Sequence, residues 1–261
     1  MELHKKGYSY CAINTAKSAL FSSISVHNYP DWHKHEAVLK FMKGIYKIAP
    51  PTPKYSNTWN VDKVLAFIKL NLTTNKILSL KLLTMKTAFL IAITSGQRGQ
   101  AIHAMNLDYV SKLEDQFIFS FPGILKESKV GKHNTPLIVN KCEDEEICPF
   151  AALDYYLKTT ENLRSSNAVW ISIRKPFKAL TKPSLSRYIK EMLQKAGINN
   201  YGPHSTRHAA TSKAHKSVGL QTIIRTASWA SGTNFKRFYL RPCEEEEEQP
   251  SRAFSSAVLS A

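Results

Sequence analysis

The stretch from Leu78 to Thr94 reads Leu-Ser-Leu-Lys-Leu-Leu-Thr-Met-Lys-Thr-Ala-Phe-Leu-Ile-Ala-Ile-Thr. Apolar side chains fall on most faces of any helix built from it, so it predicts a long helix that is core on most sides. A chain holding such a helix must wrap its other elements around it. The helix is predicted to stop at Ser95-Gly96, since glycine is the usual C-terminal breaker. Gln97-Arg98-Gly99-Gln100 follows at once. Arg98 therefore stands at the end of a buried helix. There it either caps helix carbonyls with help from the dipole or holds an anion on a rigid scaffold.

The segments before this helix read as helical too. Ala12 to Ser25 is a mixed small and apolar run, and Glu36 to Ile48 carries an apolar stripe of Val38, Leu39, Met42, Ile45 and Tyr46. Pro50-Pro51-Thr52-Pro53 cannot be helix interior and marks a domain boundary. The expected organisation is a helical region over 1–50, a linker over 51–58, a main domain over 59–242 and an acidic, disordered tail over 243–261. Within the main domain, helices are expected at Asn60–Leu70, Pro149–Leu157, Ser184–Ala196 and Leu220–Ala227, and Asn234–Leu240 carries Phe235, Phe238 and Tyr239. Phe117–Leu125 and Thr135–Val139 are rich in aromatic and branched residues and predict two strands. The polar stretch between them, with Lys126, Lys129 and Lys132, reads as the hairpin connection.

Charge narrows the partners. Lys and Arg total 36 against 20 Asp and Glu, a net charge of +16. Five of the acids form the single run Glu244–Glu248, so the chain up to Pro242 is more basic still. Such an excess implies a polyanion, nucleic acid before an anionic membrane. No apolar stretch is long enough to span a bilayer, and Met-Glu-Leu-His-Lys-Lys does not open a signal peptide. Cys11, Cys142, Cys148 and Cys243 lack metal-ligand spacing and read as reduced thiols of an intracellular protein. No metal or cofactor is expected.

Gly202-Pro203 reads as a turn before another helix, on which His204, Arg207, His208, Thr211 and His215 recur at spacings of three and four and share one face. Arginine offers a bidentate fork, histidine can give or take a proton, and a helix start exposes backbone N–H groups. That combination suits a phosphate. The competing reading is a solvated basic helix. His208 and His215 are read as scaffold.

Arg98, Lys126, His204, Arg207, Trp229 and Tyr239, in this order and spacing, resemble the catalytic set of the tyrosine recombinase (phage integrase) family. The resemblance runs from about Trp59 to Pro242. Thr-Ser-Gly-Gln-Arg is similar to the segment around the first catalytic arginine. His-Ser-Thr-Arg-His resembles the His-x-x-Arg-His box, and Trp-Ala-Ser-Gly-Thr-Asn-Phe-Lys-Arg-Phe-Tyr resembles the closing box with its nucleophile. The form of that box and Cys148-Pro149 look most like recombinases of eukaryotic mobile elements of the DIRS and Crypton types.

The resemblance implies an α+β, mainly helical catalytic domain with a small antiparallel sheet, preceded by a short helical region similar to the end of a core-binding clamp with its first helices missing. It implies DNA cleavage and rejoining through a 3′-phosphotyrosyl intermediate. Without a metal, guanidinium groups must stabilise the phosphorane, which falls to Arg98 and Arg207. Tyr239 is the implied nucleophile and His204 its proton acceptor or orienter. Lys126 is taken as general acid because it closes the strand directly, with Lys129 and Lys132 as alternatives. Trp229 would donate its indole N–H to a phosphate oxygen. The implied partners are double-stranded DNA and further copies in a tetramer on that DNA, with no membrane, and the implied location is the nucleus. Two features depart from the family pattern. Ala101 stands where many relatives carry an acid, and ten positions separate Trp229 from Tyr239 where nine is common. Two other readings are a DNA-binding protein descended from a recombinase with catalysis lost, and a type IB topoisomerase.

Overall fold

A computed structural model describes residues 2–24, 31–52, 54–126, 128, 131, 133–229 and 232–243 of the 261. The chain forms two compact units, Met1–Ser56 and Asn57–Ala261. The division falls inside the Pro-rich 51–58 stretch.

The first unit holds α1 (Glu2–Lys5), α2 (Tyr10–Ile24), a 3-10 turn (Trp32–Lys34) and α3 (Glu36–Ile48). His35 starts α3, its Nδ1 accepting the Ala37 N–H at 3.2 Å. α2 packs on α3 over a small core of Ile13, Met42 and Ile45, flanked by Tyr10 and Phe41. Of the predicted stripe on α3, Met42 and Ile45 are buried while Leu39 and Tyr46 stay exposed. One partner helix covers only part of a stripe that wide.

The second unit holds α4 (Val61–Asn71), α5 (Leu80–Ser95), α6 (Gly99–His103), β1 (Val110–Lys112), β2 (Gln116–Phe119), β3 (Leu137–Asn140), α7 (Pro149–Thr160), α8 (Lys182–Lys195), α9 (Ser205–Ala214), α10 (Leu220–Thr226) and α11 (Gly232–Phe238). It is mainly helical with one small antiparallel sheet. α5 is its axis, as the apolar run requires: α6, α7, α8, α9 and β3 all pack against it. Every residue from Leu83 to Ile93 is buried. Even Lys86 is 0% exposed. Its ammonium reaches the end of α4, donating to the carbonyls of Leu72 (2.6 Å) and Thr73 (3.2 Å) and to Asn75 Oδ1 (2.8 Å). Burial pushes its pKa down to about 8.

The sheet has the order β1-β2-β3 with both pairs antiparallel, Phe117 facing Val139 across the second pair. Phe117, Phe119, Leu137 and Val139 point into the core and Ile138 points out. β2 ends at Phe119 instead of running to Leu125, because Pro122-Gly123 cannot continue a ladder. β1 was not expected. It is a three-residue edge strand, Val-Ser-Lys, without apolar alternation.

Gly96 ends α5 in the left-handed region (φ 57°). A Cβ there would lie 3.2 Å from Thr211 Cγ2 and 3.4 Å from Ala227 Cβ. Glycine is therefore required twice, by its backbone angle and by the close approach of α9 and the end of α10. The entry to the unit pairs with the chain after α11: the Thr58 N–H donates to the Pro242 carbonyl at 2.9 Å, and Thr58 pairs with Cys243. Buried Trp59 donates its indole N–H to Ser205 Oγ at 2.8 Å, tying the entry of α4 to the first turn of α9.

Candidate functional site

α9 carries most of the site. It starts where the sequence places it, with Gly202 and Pro203 carbonyls accepting from the Ser205 and Thr206 hydroxyls at 2.7 Å each. Arg207, one turn in, is 3% exposed. Its guanidinium donates to the Gly96 carbonyl at 2.7 Å. The breaker that ends α5 thus also orients the arginine. The guanidinium carbon lies 4.3 Å from the Trp229 ring centre and 5.4 Å from that of Tyr239. Cation–π attraction is strongest where water is excluded, as here.

The aromatic wall comes from α10, α11 and the chain after each. Trp229, Phe235, Ile223 and Ala227 form a buried cluster on which Tyr239 and Leu240 pack. Trp229 lies 5.0 Å from Phe235 and 4.7 Å from Tyr239, ring centre to ring centre. α10 closes with the Ser228 N–H on the Arg225 carbonyl and the Trp229 N–H on the Ile224 carbonyl. This is a left-handed helix cap with Ser228 at φ 53°, where glycine is usual. The serine has a use for its hydroxyl, which accepts from Gln97 Nε2 at 2.8 Å. Gln97 also donates to the Thr226 carbonyl at 2.7 Å. The Trp229 indole nitrogen is buried and has no hydrogen-bond partner among the described residues.

Arg98 is half-buried at the start of α6, one guanidinium nitrogen donating to the Ser228 carbonyl at 3.4 Å. The segment Gln97-Arg98 is thereby fixed to the residue preceding Trp229. Lys126 is exposed, in the loop joining β2 and β3. That loop is held by Asn134, which donates to the carbonyls of Phe121 (2.8 Å) and Gly123 (2.7 Å). The Lys126 N–H donates to Gln100 Oε1 at 3.2 Å, so the residue two past Arg98 places the backbone of the lysine. Lys129 and Lys132 lie outside the described residues, as do the Glu244–Glu248 run and the rest of the tail.

His204 stands at the start of α9, its side chain making no cap hydrogen bond to the helix. Desolvation pushes its pKa below the usual histidine value, and the charges of Lys182, Lys126, Arg207 and Arg98 push the same way. Burial and the four cations around the imidazole all favour its neutral form. The expected residues thus fall into two groups that share Arg207. One is the packed set of Arg207, Trp229 and Tyr239; the other is the charged set around His204 that includes Lys126.

Two residues of the site were not anticipated. Lys182, first residue of α8, contributes to the field at His204. A lysine after a Thr cap carries no sequence signal of that role. His208, read as scaffold, stacks on Tyr239 with ring centres 4.5 Å apart at 23°. Its spacing from Tyr239 could not reveal this, because His208 lies on α9 and Tyr239 in the turn after α11. His215 does keep to the core, edge-on to Phe235 at 5.4 Å.

Among the described residues no cluster of His, Cys, Asp and Glu could hold a metal ion, and no helix is long and apolar enough to cross a membrane. The four cysteines are free thiols.

No protein-family model matches the chain, and no curated protein matches it either. Solved structures do match. A fragment of the Tn1549 transposon integrase, in complex with transposon right-end DNA, aligns with TM-score 0.60 and 14% identity over 100% of this chain and 82% of that one. A lambda integrase fragment, a dimer bound to a core site, gives TM-score 0.57 and 15% identity over 91% and 76%. XerA recombinase gives TM-score 0.53 and 16% identity over 97% and 84%. The second unit has the tyrosine recombinase catalytic-domain fold, a helical body with a small three-stranded antiparallel sheet. At these identities the likeness is one of fold.

Proposed function

We propose that this chain cleaves and rejoins DNA strands through a 3′-phosphotyrosyl intermediate on Tyr239, and so recombines or integrates the DNA of a mobile element. The observation that carries the proposal is the Arg207 guanidinium packed against Trp229 and Tyr239, with Arg98 fixed beside them at Ser228. Two guanidinium groups beside a phenol are what a metal-free phosphoryl transfer needs.

Tyr239 Oη attacks phosphorus, the bond from phosphorus to the 5′-oxygen breaks, and the DNA 3′-phosphate becomes esterified to the phenol. The phenolic proton passes to His204, whose neutral form is favoured by burial and by the cations around it. The departing 5′-oxygen takes a proton from Lys126. Arg98 and Arg207 hold the non-bridging oxygens, where negative charge builds up in the transition state. A free 5′-hydroxyl reverses the step without ATP, because the covalent link conserves the bond energy. Arg207 is 3% exposed, so it meets phosphate only after DNA opens the aromatic wall. Opening also gives the Trp229 indole N–H an oxygen to bond. Double-stranded DNA is the proposed partner, further copies of the chain the proposed assembly on it, and the nucleus the proposed location.

The test uses suicide DNA substrates nicked near the cleavage point. A covalent protein–DNA adduct is expected with the native protein and none with Tyr239→Phe. DNA binding without an adduct on any substrate would mean a binding protein that has lost catalysis.

A further inference from the structure

Tyr239 follows the last residue of α11 and lies in a turn, so its ring direction is set by what it packs on. Much of that surface is α9. His208 leaves the helix roughly 100° round from Arg207 and stacks on the phenol at 4.5 Å and 23°. The Tyr239 backbone also faces this imidazole and favours its charged form. One turn further on, Ser212 Oγ donates to the Tyr239 carbonyl at 3.2 Å and accepts the Arg241 N–H at 3.0 Å. Ser212 grips the backbone around Tyr239, and His208 covers a face of its ring. The Arg207 guanidinium lies 5.4 Å from the ring centre.

We propose that His208 is a positioning residue: with Ser212 it clasps Tyr239 beside Arg207 and Trp229, and the clasp holds while the imidazole is neutral. The inference rests on Tyr239 being the nucleophile. The groups that face the imidazole are Arg207 and His204 from α9, and Tyr239 and Arg241 from the chain after α11. A third positive charge there is opposed by burial, Arg241, Arg207 and His204, and favoured only by the Tyr239 backbone and ring face. Burial first, then Arg241, Arg207 and His204, push His208 down to about 4. The sign follows: the clasp is complete above the ordinary histidine pKa of about 6.5 and weakens as pH falls toward 4. A misplaced nucleophile costs on the order of 10- to 100-fold in rate.

Two readouts separate this inference from the reading it rests on. Adduct yield on suicide DNA is measured for the native protein, His208→Ala and His208→Phe. Hydrogen exchange of the 232–243 backbone is measured on the same proteins without DNA, from pH 4 to 7, with rates corrected for intrinsic pH dependence. We expect His208→Ala to lose adduct yield by 10-fold or more at unchanged DNA affinity, and to lose protection at 232–243 at every pH. His208→Phe keeps a stacking ring without a proton to gain, so it should restore most of the yield. It should also abolish the acid-induced loss of protection seen in the native protein. Native yield or native protection in His208→Ala would overturn the proposal, as would a yield above native, which would make His208 a restraint. The same holds for an acid transition that persists in His208→Phe. If no protein forms an adduct but protection follows the pattern above, the clasp stands and the nucleophile reading fails.

Discussion

Gly96 and Lys86 show how much a single position on α5 can decide. Gly96 sets the helix end and supplies the carbonyl that orients Arg207. Gly96→Ala forces a side chain into the left-handed region, about 1–2 kcal/mol, and pushes on Thr211, which supports the same helix as Arg207. Urea unfolding should show a loss of about 1–3 kcal/mol, with a larger fractional loss in adduct formation than in DNA binding. Lys86 carries a charge inside the core at neutral pH. Its folded pKa, about 8, lies below the ordinary 10.5. The unfolded chain therefore binds more protons between those values, and the penalty for burying the charge, present below pH 8, is relieved as pH rises toward 10.5. The native protein should gain stability over that window relative to Lys86→Met, measured as the difference between their unfolding midpoints at each pH. The reverse trend would show that the ammonium is better solvated than its position suggests.

At the level of elements, legibility followed how much of each signal was local. α5 could be read in full because a segment apolar on nearly all sides has few other places to go. The start of α9 could be read from Gly202-Pro203, and Arg98 from its place behind a buried helix. The end of β2 was overextended: aromatic composition continued past Phe119, but Pro122-Gly123 turned those residues into a loop that buries Phe121 and Leu125 without a ladder. β1 and α6 are too short to leave a periodic pattern. His208 and Lys182 join the site only through packing between elements, which spacing along one chain cannot show. The loop carrying Lys126 is one such case, since its tie to the rest of the site is the Gln100 amide. Gln100→Ala should leave the fold and DNA affinity nearly unchanged and slow cleavage by about tenfold, in keeping with a general acid's typical 10²–10⁴-fold contribution being partly lost. Single-turnover kinetics with substrates bearing a 5′-bridging sulfur, whose departure needs little protonation, should erase most of that defect.

At the scale of the whole molecule, net charge bears on the proposed partner. With a net charge of +16, duplex binding should fall on the order of 10³-fold between 50 and 200 mM salt, as for a protein neutralising about six phosphates. Fluorescence anisotropy on a duplex of unrelated sequence measures this, and a flat salt response would argue against a DNA track. The pairing of Thr58 with Pro242 and Cys243 has a mechanical meaning as well. Thr58, the second residue of its unit, is stitched to the chain three residues beyond Tyr239. That pairing fixes the backbone just past the tyrosine to the entry of α4 within the same unit.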